Sequence, residues 1–132
     1  MKSSSKNSEE KERLIRWHRN KYRAKSEIVD GHRFPSGREA RRYRELKLME
    51  AGGAIRELEL QPKFKLGTDD APILIRSAGY PNGRRAVYLA DFRYRDAVGK
   101  IIIEDVKGID TPLSRLKRAI VEAQYSVRIV LI

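Results

Sequence analysis

Tyr88-Leu89-Ala90-Asp91-Phe92 and Ile101-Ile102-Ile103-Glu104-Asp105-Val106-Lys107-Gly108 are the two stretches on which the reading of this chain turns. β-Branched and aromatic residues dominate both, so each is expected as a strand. Residues two apart on a strand share a face, which puts Asp105 and Lys107 together. In the first stretch the same rule sets Tyr88, Ala90, Phe92 and Tyr94 on one face and Val87, Leu89, Asp91 and Arg93 on the other. Both faces are apolar enough to bury the strand centre, where a carboxylate is costly unless a cation or hydrogen-bond donors compensate it. A turn through Val98-Gly99-Lys100 lays the two strands side by side, with Asp91 and Asp105 converging near one end. An acid and a lysine two apart are also the pattern of an ordinary surface ion pair, and spacing alone does not separate the two readings.

The flanking sequence supplies the rest of a mixed sheet. Ser36-Gly37-Arg38-Glu39 places serine three residues before glutamate, a capping-box pattern that opens a helix. That helix is expected to run to about Ala51 and stop at Gly52-Gly53, with Ala40, Tyr43, Leu46 and then Leu48 or Met49 as its inner stripe. Ahead of it, Asp30-Gly31 marks a small hairpin. Ile55–Leu66 reads as one strand, or two broken at Pro62, with Leu58, Leu60, Phe64 and Leu66 at period two. Ile73-Leu74-Ile75 is a short apolar strand, and Asn82-Gly83 a turn into a strand over Arg85–Tyr94. Thr111-Pro112 starts a second helix reaching about Gln124. Val127–Ile132 is a final strand, nearly all apolar and expected to be buried. Helix, strands, helix, strand is the order of an α/β fold with a mixed central sheet, whose last helix returns the chain to a parallel neighbour.

Composition narrows the function classes. The 132 residues suggest one domain, over 21–132, behind a flexible basic arm over 1–20. No apolar run is long enough to span a bilayer, and the start carries no apolar signal region, so a cytoplasmic protein is expected. The absence of cysteine removes disulfides, zinc-thiolate sites and cysteine nucleophiles. Two histidines, His18 and His32, make a histidine metal site a poor expectation, and His32 beside Asp30-Gly31 reads as a turn residue. Lysine and arginine total 29 against 18 acids, a net charge of +11, which favours a polyanionic partner and above all nucleic acid. Leu14, Ile15 and Trp17 give residues 9–23 only a short apolar helical face, a weak membrane signal.

Two aspartates meet the demand of Mg²⁺ for one or two carboxylates with waters and phosphate completing an octahedron. A lysine beside them can orient an attacking water or stabilise charge on a scissile phosphate. Glu39 has two readings, as the acid of the capping box and as a third carboxylate of the site. Arg38, Arg41, Arg42 and Arg44 on the first helix, with Arg115, Lys117 and Arg118 on the second, are candidate phosphate contacts, Lys117 being placed to approach the site. Trp17 and Tyr22 either stack on bases or anchor local structure.

Asp91, Asp105-Val106-Lys107 and Glu39 on a preceding helix resemble the PD-(D/E)xK nuclease superfamily. More narrowly, the chain is similar to a phage and prophage family of small endonuclease-like proteins, formerly a domain of unknown function. Asn20-Lys21-Tyr22, Asp30-Gly31-His32-Arg33-Phe34-Pro35-Ser36, Glu39-Ala40-Arg41-Arg42-Tyr43, Gln61-Pro62-Lys63-Phe64-Lys65-Leu66, Ala90-Asp91-Phe92 and Glu104-Asp105-Val106-Lys107-Gly108 carry the resemblance. It implies a restriction-endonuclease-like αβββαβ core and Mg²⁺-dependent phosphodiester cleavage, with Mn²⁺ able to substitute. Asp91, Asp105 and Glu39 would then be metal ligands, Lys107 the catalytic lysine, and Gln61 a residue lining the site. Glu104 stands beside Asp105 and competes for the acidic position; Asp105 is preferred because it shares a strand face with Lys107. Relatives in the superfamily include Holliday junction resolvases, which implies branched DNA as substrate, a homodimer, and the cytoplasm of a bacterial host. The alternatives are a non-catalytic basic nucleic-acid-binding module and a phage replication or packaging subunit that needs a partner.

Overall fold

The computed structural model describes residues 25–132, so the basic arm with Trp17 and His18, and Tyr22 after it, lie outside the described residues. The described residues divide into two compact units, with the boundary between Arg44 and Glu45. In the first, β1 (Glu27–Val29) and β2 (His32–Phe34) form an antiparallel hairpin. Asp30 and Gly31 turn it, at φ 51° and 78°. Helix α1 (Gly37–Ala51) begins in this unit, with the Glu39 N–H donating to Ser36 Oγ at 3.2 Å. Phe34 and Tyr43 stack with ring centroids 4.9 Å apart, and the Tyr43 hydroxyl donates to Asp30 Oδ2 at 2.9 Å, tying hairpin to helix.

The second unit opens with the last turns of α1. Gly52 N–H closes onto Leu48 O at 3.0 Å, and Gly53 follows at φ 80°, the expected stop. Ala40, Tyr43 and Leu46 are buried as the stripe predicts, but Leu48 is 75% exposed and Met49 is exposed too. Glu50, four residues after Leu46, takes the next inward position instead. Its carboxylate accepts Leu58 N–H and Lys47 Nζ, each at 3.1 Å, and the Leu58 amide, with Lys47 second, holds its pKa below the usual carboxylate range.

The strands follow as β3 (Arg56–Leu60), β4 (Lys63–Lys65), β5 (Leu74–Ser77), β6 (Tyr80–Arg85), β7 (Val87–Leu89), β8 (Phe92–Arg95) and β9 (Ile101–Asp105). Helix α2 (Pro112–Tyr125) and β10 (Ile129–Leu131) complete the unit. The main sheet has the order β10-β9-β8-β3. Strands β3, β8 and β9 run antiparallel, and β10 returns parallel to β9 after the α2 crossover. The architecture is thus mixed α/β, with a mixed sheet and two helices. One core cluster joins Phe64, Leu66, Ala86, Tyr88 and Ala90 to Ile103, Val121 of α2 and Ile129. Thr111 caps α2 by accepting Ser114 N–H at 3.1 Å. At the other end Gln124 and Tyr125 clamp the end of β4: Gln124 Nε2 donates to Gly67 O at 2.7 Å and the Tyr125 hydroxyl to Lys65 O at 2.7 Å.

Two expectations are corrected, and the bounds of a third shift. Asn82-Gly83 is not the hairpin turn; Ala78 and Gly79 turn between β5 and β6, and Asn82-Gly83 lies inside β6. Gly83 has φ 86° and a Cβ there would sit 2.8 Å from Leu74 Cβ, so the glycine serves a register shift and a close strand approach. The short strand expected at Ile73-Leu74-Ile75 is β5 of this hairpin, Leu74–Ser77, and Leu74 and Ile75 are exposed. The C-terminal strand is not buried either: Ile129 enters the core, while Val130, Leu131 and Ile132 are exposed, because β10 is an edge strand.

Candidate active site at a fork in the sheet

β3 with β4, and β7 with β8, form one long antiparallel pair of strands that is interrupted at Gln61 and at Asp91. Register is continuous across the interruption, with Leu60 opposite Phe92 on one side and Lys63 opposite Leu89 on the other. Facing is not continuous. Tyr88 and Ala90 enter the α2-side core with Ile103. Phe92 lies opposite Glu104, and Arg93 opposite Ile103, so Phe92 is on the other side of the sheet. Uninterrupted alternation would have kept Tyr88, Ala90, Phe92 and Tyr94 on one face, as the sequence pattern predicts. Asp91 N–H donates to Glu104 O at 3.0 Å although Phe92 is the partner of Glu104, so two residues oppose one in the manner of a β-bulge. Gln61, at φ 51°, makes the matching kink in the neighbouring strand and donates its N–H to Asp91 O at 2.9 Å.

Beyond Glu104, β9 leaves its neighbour and turns toward β10, so the sheet forks. Asp91 fills the fork. Its Oδ2 accepts Val106 N–H at 2.6 Å, replacing the carbonyl that a continuing ladder would offer. That bond sets the Asp91 carboxylate against the peptide that joins Asp105 to Val106. Asp105 is buried and accepts the Tyr88 hydroxyl at Oδ2. The same oxygen receives Lys107 Nζ at 3.2 Å, and Lys107 keeps a quarter of its side chain in solvent. Asp105 and Lys107 therefore meet on one face, backed by a tyrosine from β7.

Behind this trio lies a second layer that the sequence reading did not anticipate. Tyr88 interacts with both Asp105 and Arg118, and burial, with Asp105 second, pushes its pKa well above the ordinary tyrosine value. Arg118 grips Asp110 with two nitrogens, at 2.8 and 3.1 Å. That pairing raises the arginine pKa and holds Asp110 below its usual range. Arg118 is buried rather than presented on the helix surface as a candidate phosphate contact would be: α2 turns it inward, and burying a guanidinium requires a carboxylate partner. A tyrosine seventeen residues before its acid, and a helix arginine eight residues after an aspartate, carry no recognisable spacing signal.

The other candidates are distributed as follows. Glu104 is buried and accepts the Tyr94 hydroxyl, on the sheet face opposite Asp105 and Lys107. Gln61 borders the fork through its backbone and is exposed. Lys117 is half-buried on α2 and lines a cleft with Lys63, Lys65 and Arg84. Arg115 is exposed and donates to Asp110 O at 2.8 Å. Glu39 belongs to the first unit, where its amide is capped by Ser36. Arg38, Arg41 and Arg42 are in that unit as well, and Arg44 pairs there with Glu27 at 3.3 Å. Among the described residues no three histidine or carboxylate side chains are grouped to hold a metal ion.

The donor set fits a hard divalent cation. Two carboxylates are positioned by a backbone amide and a tyrosine, and Mg²⁺ takes one or two carboxylates and keeps several waters. No curated protein matches the chain, and no solved structure matches it. Residues 19–131 match the family described as a protein of unknown function (DUF1064). The match covers well over half of the chain, and the protein belongs to that family.

Proposed function

We propose that the protein is a metal-dependent DNA endonuclease with a restriction-endonuclease-like core, acting on branched DNA. What supports this reading is the fork, where Asp105 pairs with Lys107 and receives the Tyr88 hydroxyl, and where the Asp91 carboxylate accepts the amide of the next residue, Val106. Helix, three antiparallel strands, helix and a parallel strand is compatible with the αβββαβ order of the PD-(D/E)xK nucleases. A bound Mg²⁺ supplies Lewis acidity at phosphate and a water of lowered pKa.

Asp91 and Asp105 are the residues that would hold the ion. Lys107 offers its ammonium to a phosphate oxygen or to the attacking water, stabilising the negative charge that develops. Tyr88 keeps Asp105 oriented, and Gln61 shapes the rim. Glu39 lies in the first unit, in the opening turn of α1, with its amide capped by Ser36. A second copy of the chain would present two such sites to the paired strands of a junction. The exposed apolar residues of edge strand β10 support a homodimer through that edge. Among the described residues no helix is long and apolar enough to cross a membrane, and DNA as substrate puts the protein in the cytoplasm of a bacterial host.

The test incubates the full chain with labelled four-way junctions and linear duplex, with and without Mg²⁺. Cutting that needs the metal and favours the junction is expected, and Asp105→Asn should abolish cutting while leaving DNA binding. No cleavage of any DNA in Mg²⁺ or Mn²⁺ sinks the proposal and leaves a non-catalytic module or a partner-dependent subunit. A monomer by light scattering, with and without DNA, removes the dimer.

A further inference from the structure

A cleft is walled by β4, by the β5–β6 hairpin and by α2, and every charged residue lining it is basic. Lys63, Lys65, Arg84, Arg85 and Lys117 line it over an apolar floor that includes Ile75 and Val87. Arg85 is committed to structure, donating to Leu66 O at 2.7 Å and Gly67 O at 2.8 Å. Lys63, Lys65 and Lys117 have no carboxylate partner among the described residues, and Arg84 has only the ring of Tyr80, at 5.4 Å. Bringing four unpaired cations into one concave surface is unfavourable by self-repulsion unless a polyanion neutralises them.

The row also has a direction. Lys63 sits opposite Leu89 and Lys65 opposite Val87, so the row leads away from Asp91 along β7. From Asp91 to Val87 the strand rises roughly 13 Å at about 3.3 Å per residue. That length accommodates about four nucleotides of one DNA strand at 3.4 Å each. We infer that this cleft is the track for the phosphate backbone of the DNA strand that enters the site, with Lys63, Lys65, Arg84 and Lys117 as its phosphate contacts. The inference rests on the nuclease reading for its direction, but its test does not depend on cleavage.

The track is tested by binding of fluorescein-labelled duplex DNA to the full chain without divalent cation, across a salt series. The quadruple variant Lys63→Gln, Lys65→Gln, Arg84→Gln, Lys117→Gln is compared with Arg93→Gln, Arg95→Gln, and thermal melts establish that all are folded. Each lost phosphate contact lowers the slope of log affinity against log salt by about 0.9. The quadruple variant should therefore lose roughly 100-fold of salt sensitivity between 50 and 200 mM salt, and the double variant almost none. An unchanged slope in the quadruple variant, or a wild-type chain that binds no DNA, overturns the track. Cleavage with an unchanged slope removes the track and keeps the nuclease; a reduced slope without cleavage does the reverse.

Discussion

The two ends of the long strand pair carry similar numbers of cations and use them in opposite ways. At the β3–β8 end, Arg93 pairs with Glu59, and Arg95 donates to Glu57 at 2.7 Å. At the β4–β7 end, Lys63 and Lys65 occupy β4, the partner strand, and have no carboxylate partner among the described residues. The acids of β9 divide the same way. Glu104 meets Tyr94 on one face, and Asp105 meets Tyr88 on the other, where Lys107 lies beside it. A net charge of +11 says that a polyanion is favoured somewhere; local neutralisation says where.

The tyrosine pair offers the sharpest way to break this comparison. Tyr88→Phe and Tyr94→Phe each remove a hydroxyl from a buried carboxylate, which costs about 1–3 kcal/mol. Urea unfolding should show similar losses in the two variants. Activity should separate them: Tyr88→Phe lowers cleavage because Asp105 loses its orienting donor, and Tyr94→Phe leaves the rate per folded molecule near wild type. Equal losses of activity would mean that the two faces are functionally alike.

How much of this division was legible in the sequence depended on the range of the signal. The α1 stop at Gly52-Gly53, the α2 cap at Thr111 and the pairing of Asp105 with Lys107 are local, and local chemistry specifies them. The switch of facing at Asp91 was not legible, because alternation in Tyr88–Tyr94 is unbroken in the sequence and only the pairing with β9 creates the bulge. Asn82-Gly83 has turn chemistry, yet a strand bulge uses the same positive φ, and the hairpin partner decided between them. Arg118 looked like one more surface cation until α2 packed it against Asp110 and Tyr88. The apolar tail at Val130–Ile132 reads as core because the sequence does not say that β10 lies on the sheet edge.

A smaller effect is expected from the layer behind the site. Asp110 has its pKa lowered from 3.8, with the Arg118 hydrogen bonds as the first cause. A depressed carboxylate contributes stability that is present above its unfolded value and lost as pH falls through its folded value. Asp110→Asn should therefore destabilise the protein near neutral pH, and the difference from wild type should vanish well below pH 3.8. Denaturant midpoints measured across that range check it. A gap that stays constant down to the lowest pH would show that Arg118 is held by packing rather than by the charge of Asp110.

The weakest perturbation addresses the contrast between the two ends most directly. Glu57 and Glu59 are largely exposed partners of Arg95 and Arg93, and surface pairs of this kind contribute about 0.2–1 kcal/mol each. Glu57→Gln with Glu59→Gln should barely move the melting temperature. It leaves two arginines without carboxylates on the end of the strand pair that lies away from the unpaired lysines. If neutralisation is what excludes DNA from that end, the variant should gain up to about 1.8 in the slope of log affinity against log salt, at about 0.9 per new contact. Cleavage should not rise with it, since the added contacts hold DNA away from Asp91 and Asp105. A gain in both binding and cleavage would place the DNA track across the β3–β8 end instead, and an unchanged slope would mean that shape, not pairing, keeps that end bare.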